Sequence, residues 1–155
     1  MATYRNGIHL DGPWYRTCGE HLCWKETTSR TYANGDIILG PHLARGTMIK
    51  DSIVANSEVD SNAAPTATGV LELVKSGETP VVLVNVAAAT LGVDDGITRG
   101  NTQAGVAHVV PSAGWYVQFR FTAAFATQKA GTMRFGLDLS GHVPSVGGDP
   151  TAPTG

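Results

Sequence analysis

Two segments near the end of the chain alternate strictly between apolar and polar residues, over residues 115–122 and 132–140. The apolar positions are Trp115, Val117, Phe119 and Phe121 in the first segment and Met133, Phe135, Leu137 and Leu139 in the second. A period of two places successive side chains on opposite faces of a β-strand. The pattern therefore predicts two half-buried antiparallel strands whose aromatic and aliphatic side chains face a core.

Shorter apolar runs, bounded by turn residues, precede these two segments. They cover residues 35–41, 47–55, 66–75, 81–86 and 106–110. The polar stretches 56–65 and 94–105 between them are predicted loops, and residues 87–89 are candidates for a short helical turn. About seven strands at short spacing, without a long helix, predict an all-β fold, an antiparallel β-sandwich over residues 35–140.

The two ends of the chain lack this pattern. Residues 1–34 carry two of the three tryptophans and alternate only weakly, which indicates an extended N-terminal arm, with an ordinary first strand and irregular loops as an equal alternative. Residues 141–155 hold three prolines and four glycines and are predicted to be a flexible tail. Aromatic residues that a core does not bury often anchor interfaces. The arm residues expected at an interface are Tyr4, Trp14, Tyr15 and Trp24.

Charge and composition narrow the range of partners. Charged residues make up 15% of the chain, against about 25% in ordinary domains, which indicates a hydroxyl-rich surface or one buried against partners. The net charge is −2 and no cluster of Lys or Arg is present, so neither nucleic acid nor an anionic membrane is expected as the main partner. No apolar run reaches the roughly 20 residues of a membrane span, and the N-terminus does not resemble a secretory signal. Synthesis and folding in a cytoplasm are therefore expected.

Candidate chemistry is confined to Cys18, His21 and Cys23, which lie close enough in sequence to ligate zinc. A closed zinc site needs a fourth ligand, for which His9 or Glu20 are the candidates. A disulfide between the two cysteines is disfavoured in a reducing cytoplasm, so two reduced thiols are the preferred interpretation. The sequence contains no nucleophile elbow, phosphate-binding loop or histidine pair of the cupin kind. We assign no catalytic residue, cofactor or metal, and expect a non-catalytic protein.

The succession of turns and strands from residue 35 to 140 resembles the tailed-phage capsid decoration (cement) proteins of the jelly-roll type. The matching positions are the turn Leu43-Ala44-Arg45-Gly46, Asp51, the segment TGVLEL at residues 68–73 and the segment AGTMRF at residues 130–135. The tryptophan-containing arm of residues 1–34 departs from the pattern. No single residue carries over as functional, because such proteins act through broad surfaces.

The resemblance implies a jelly-roll fold and a virion structural protein on the exterior of the capsid, assembled in the host cytoplasm. Its implied partners are the major capsid protein, whose subunits it would bridge and stabilise, and copies of itself in a small cyclic oligomer, a homotrimer. A receptor- or carbohydrate-binding knob of a phage head or tail fibre is the alternative, with Trp14, Trp24 and Trp115 as candidates for stacking on sugars. A metal-dependent enzyme of the cupin kind ranks third, because the histidine-rich strand motif is missing.

Overall fold

The structure is a computed structural model, and it describes residues 3–4, 21–28 and 30–140 of the chain. Within that part the chain forms ten strands and two short helices. In chain order these are β1 (Thr3–Tyr4), β2 (His21–Thr27), β3 (Ile37–Leu43), β4 (Met48–Asn56), β5 (Thr68–Val74), β6 (Val81–Val86), α1 (Ala88–Leu91), β7 (Gly96–Arg99), α2 (Gln103–Val106), β8 (His108–Val109), β9 (Trp115–Ala123) and β10 (Thr132–Ser140).

The strands make two sheets. Sheet A has the order β1-β3-β9-β5-β6, and sheet B has the order β2-β10-β4-β7, with β8 pairing with β4 on the same side as β7. All pairs are antiparallel except that of β1 with β3. The prediction of an antiparallel β-sandwich is confirmed.

The core lies between β9 of sheet A and β10 of sheet B. Phe119 and Phe121 from β9 and Phe135 from β10 are buried, as the alternation predicted. The Phe119 ring centroid lies 5.1 Å from that of Phe121 and 5.3 Å from that of Phe135. Each such ring contributes about 2 kcal/mol of transfer free energy on burial. On β5, a Cβ at Gly69 would fall 2.2 Å from Cζ of Phe119, so only glycine leaves room for this ring.

The last part of the predicted arm belongs to the sandwich. Strand β2 pairs along its length with β10, from His21 opposite Asp138 to Thr27 opposite Thr132. Trp24 is only 8% exposed and stacks on Phe135 with a centroid distance of 5.3 Å. This corrects its expected place at an interface. Weak alternation hid the strand because Glu26, a charged residue, occupies one of its buried positions.

Two further segments differ from the prediction. Strand β7 forms inside the stretch 94–105, which was expected to be a loop. In the predicted strand 106–110, Val106 instead ends α2, and only His108 and Val109 pair with β4. Helix α2 begins at Gln103 because the preceding Thr102 is its N-cap: the Thr102 hydroxyl accepts a hydrogen bond from the Gly105 N–H at 3.0 Å.

Candidate interaction surface

Large apolar side chains that remain exposed are gathered on one side of sheet B. Within the described part of the chain they are Met48, Val93, Ile97, Val106 and Val109, here called the apolar edge. All five lie in or beside β7, β8 and the end of β4 that pairs with β8. Ile97 is the most exposed of them, at 59%. Met48 and Val109 lie at one end of β4 and Ile97 lies beside its other end, so the apolar edge runs along the strand. Exposed apolar side chains set along one edge are candidates for a contact site.

Buried hydrogen bonds hold the segments that carry the apolar edge. The Asn56 side-chain amide, at the end of β4, donates to the carbonyls of Thr90 at 2.9 Å and Val93 at 3.3 Å, which fixes the turn before β7. The Ser52 hydroxyl donates to the Gly105 carbonyl at 2.8 Å and holds α2 against β4. The apolar edge is therefore built on the rigid ladder of β4.

Charged groups surround the apolar edge. Arg99, whose side chain is 70% exposed, donates to the Asp51 carboxylate at 3.0 Å. Asp94 and Asp95 form the exposed turn that leads into β7, and Asp94 accepts the Glu58 N–H at 2.9 Å. His108 lies in β8, where burial lowers the pKa of its imidazole. Exposed apolar and charged side chains are thus interspersed along this edge, and both kinds occur in protein interfaces.

The neighbouring boundary of the sandwich, along β6 of sheet A, is closed by side chains. The Asn101 side chain accepts the Asn85 N–H and donates to the Asn85 carbonyl, each at 2.8 Å, as a neighbouring strand would. The Thr102 hydroxyl shares its one proton between the carbonyls of Val82, at 2.7 Å, and Leu83, at 2.9 Å. These bonds occupy backbone groups that an open edge strand would offer to another chain.

Asp60 closes a second boundary, where the loop after β4 meets the loop after β9. It is fully buried, and its carboxylate accepts four backbone N–H groups, from Thr66 at 2.9 Å, Ala67 at 3.1 Å, Ala126 at 3.2 Å and Thr127 at 2.9 Å. Burial raises the pKa of this carboxyl, but the four hydrogen bonds outweigh it and hold the pKa at about 2. The residue serves the fold and binds no ligand in this arrangement.

Sheet A carries a charged cluster on the face opposite the core. The Arg120 guanidinium contacts both oxygens of the buried Glu72 carboxylate, at 2.9 and 3.0 Å, and Gln118 donates to the same group at 2.8 Å. The hydrogen bond to Glu72 raises the pKa of Arg120. With its acceptors and donors paired to each other, the cluster is a structural ion pair rather than a reactive site.

The residues singled out from the sequence lie partly inside and partly outside the described part of the chain. Tyr4 lies in β1, opposite Ile38 of β3, and Trp24 lies in the core. Trp14, Tyr15 and Cys18 fall outside the described residues. Cys23 is an exposed free thiol on β2, and the described segments contain no group of three His, Cys, Asp or Glu residues able to hold a metal.

The apolar edge was missed in the sequence because β7 is short and surrounded by polar residues. The run Ile97-Thr98-Arg99 has no alternation long enough to indicate a strand. Only its pairing with β4 reveals it. None of the helices in the described part of the chain is long and apolar enough to cross a membrane.

Comparison with known proteins yields matches of structure only. No protein-family model matches the sequence, and the curated proteins include no match to it. The chain is similar to a chain of the cyanophage Pam1 capsid asymmetric unit, at 18% identity and a TM-score of 0.61, covering 92% of this chain and 99% of that one. It is also similar to a chain of the capsid of Ralstonia phage GP4, at 20% identity and a TM-score of 0.58, covering 83% of this chain and 88% of that one. The protein therefore has a fold that also occurs in the capsids of two phages.

Proposed function

We propose that the protein is a virion structural protein that decorates a phage capsid and stabilises it by bridging subunits of the major capsid protein. The observation that carries this proposal is the match to a capsid chain over 92% of this chain and 99% of the other. Such coverage means that the two chains have about the same length. The likeness thus extends over nearly the whole of that capsid chain.

The described surfaces suit this role. A decoration protein binds through broad contacts, and many weak contacts repeated on a symmetric shell give high avidity without a deep pocket. The apolar edge offers one such contact, because its exposed side chains sit on a rigid strand ladder with charges around them. The proposed role includes no catalytic step, cofactor or metal.

The proposed partners are the major capsid protein and copies of this chain in a homotrimer, on the outside of the capsid. We propose that Tyr4, Trp14 and Tyr15 contact these partners. Strand β1 supports this placement, since it lies at the end of sheet A, paired only with β3 in the described structure. Trp24 is left out of the proposed contact because it is buried on Phe135.

Co-sedimentation with phage heads that lack their decoration protein tests the proposal. The full chain is expected to sediment with bare heads and to protect them against heating or low salt, and heads that already carry it should take up no more. Absence of binding to bare heads, together with binding to a soluble glycan, would replace the proposal by the receptor-binding alternative.

Two truncations locate the contact. Deletion of residues 1–20 spares β2 and is expected to preserve the β-fold while weakening head binding. Deletion of residues 141–155 is the matched control and should leave both unchanged. If the first deletion binds heads as well as the full chain does, the contact lies on the sandwich itself, and the proposed role of Tyr4, Trp14 and Tyr15 is wrong.

A further inference from the structure

Strand β7 has one paired side and one open side. It pairs with β4 through Gly96 to Arg99, and it is the last strand in the order of sheet B. In the described residues no strand and no side-chain amide covers its outer side, in contrast to the Asn101 closure of β6. An open edge strand offers backbone N–H and C=O groups to another extended chain.

The side chains along β7 are arranged so that two antiparallel copies of this segment would be complementary to each other. Alternate residues of a strand share a face, so Ile97 and Arg99 lie together on the exposed face, and Asp95 lies in the exposed turn directly before Gly96. Apolar Ile97 is at the centre, a cation is at one end and an anion is at the other. The turn at Asp95, where φ is 57°, ends the strand at the acidic side.

We infer that β7 pairs antiparallel with β7 of a second copy, around a two-fold axis at Ile97. In this register Ile97 meets Ile97 of the second copy, and each Arg99 comes close to the turn that carries Asp95 of the other chain. Opposite charges brought close together stabilise such a contact, and a two-fold axis makes it occur twice. Arg99 already contacts Asp51, but a guanidinium has donors for a second carboxylate.

This contact rests on the proposed function in one respect only, namely that copies of the chain are arrayed side by side on a shell. Because it has two-fold symmetry, it would not build the homotrimer but would link copies that belong to neighbouring trimers. A four-residue strand buries far less than the roughly 1,600 Å² of a standard stable interface. The contact is therefore weak between isolated copies and gains strength from repetition on the shell.

Charge exchange tests the contact in solution, without heads. The weight-average mass of the full chain, measured by light scattering, should rise with concentration. Arg99→Glu brings Glu close to Asp95, and Asp95→Arg brings Arg close to Arg99, so each variant alone should stay at the lower mass. An equal mixture of the two restores both opposite pairs, and its mass should rise again.

A second pair of variants avoids a substitution in the Asp95 turn and tests the register. Ile97→Lys and Ile97→Glu each repel their own copy at the two-fold axis, whereas their mixture places Lys across from Glu and should associate. Lys25→Glu, the same charge reversal as Arg99→Glu but on exposed β2, is the matched control and should associate like the full chain.

Three results would overturn the inferred contact. These are a mass that stays constant up to the limit of solubility, a mixture that behaves like its separate components, and a Lys25→Glu variant that loses association as Arg99→Glu does. If Ile97→Lys abolishes head binding while the full chain never self-associates, the apolar edge docks on the capsid protein instead. If all variants still bind heads, the proposed function stands. The contact between two β7 strands is then judged from the light-scattering result alone.

Discussion

Two edges on one side of the sandwich differ in whether side chains cover them or leave them open. Along β6, Asn101 and Thr102 satisfy the backbone groups that no strand covers, and Asp60 does the same for the loops after β4 and β9. Along β7 and β8, apolar side chains such as Ile97 and Val109 remain exposed, and no such closure exists in the described residues.

The closed boundary contributes to the stability of the folded chain, whereas the open boundary is available for binding a partner. A closed boundary stabilises the folded chain, because each buried polar group that lost its partner would cost free energy. An open boundary contributes little to the folded state and remains available for a partner. Substitutions at the closed boundary should therefore change unfolding, and substitutions at the open boundary should change association.

Among the residues that close a boundary, the largest effect is expected from Asp60→Ala. This change leaves four backbone N–H groups without their acceptor, at a cost of roughly 1–3 kcal/mol for each group that stays buried. We expect the free energy of unfolding to fall by about 4 kcal/mol or more in urea titrations. Glu78→Ala, in an exposed turn, is the control and should stay within about 0.5 kcal/mol of the unchanged chain. A loss below about 1 kcal/mol at Asp60 would show that water replaces the carboxylate.

The same carboxylate should make stability depend on acid. Its pKa is held at about 2 in the folded chain, below the unfolded value of about 3.9, so its contribution is complete above pH 4 and disappears as the pH falls through 2. The loss is on the order of 2 kcal/mol. Asp60→Asn cannot titrate, so its unfolding free energy should decline less between pH 4 and pH 2. Parallel declines of the two proteins would contradict the assignment.

A smaller effect is expected where Asn101 closes β6. Asn101→Ala removes two hydrogen bonds to the Asn85 backbone at an exposed position, and the free energy of unfolding should fall by about 1–2 kcal/mol. Asn101→Asp keeps the acceptor but not the donor and should lose about half as much. Gln103→Ala, on the exposed side of α2, is the control. The opened β6 should also aggregate more readily, which light scattering during storage would detect.

The smallest effect on stability is expected at the open boundary. Ile97→Lys removes an exposed side chain and should change the free energy of unfolding by less than about 0.5 kcal/mol. Val54→Lys is the matched test on β4, because Val54 pairs with the neighbouring Thr98 but faces the core, and it should prevent folding. If Ile97→Lys were strongly destabilising, the apolar edge would belong to the core, and the contrast between the two boundaries would fail.

Sequence alone determined the class of the fold. Alternation in β9 and β10 is strict because one face of each strand packs on the other sheet while the opposite face does not, and the short apolar runs marked most of the remaining strands. The candidate surface was not predictable in this way. Ile97 and Val109 come from strands of four and two residues that take their place only by pairing with β4. Met48 is the first residue of β4, Val93 precedes β7 and Val106 ends α2.

Tertiary structure decided the places where a residue's environment contradicts its type. Glu26 occupies a buried position of β2 because the Tyr32 hydroxyl, on the following segment, donates to its carboxylate at 2.5 Å. Ile97 is exposed because its register opposite Ala55 turns it away from the core, the opposite face from buried Val54, and this register depends on which strands pair and not on the composition of β7. Periodicity records which side of a strand faces the core, but the partner of a buried charge and the position of a strand in its sheet come from contacts between distant parts of the chain.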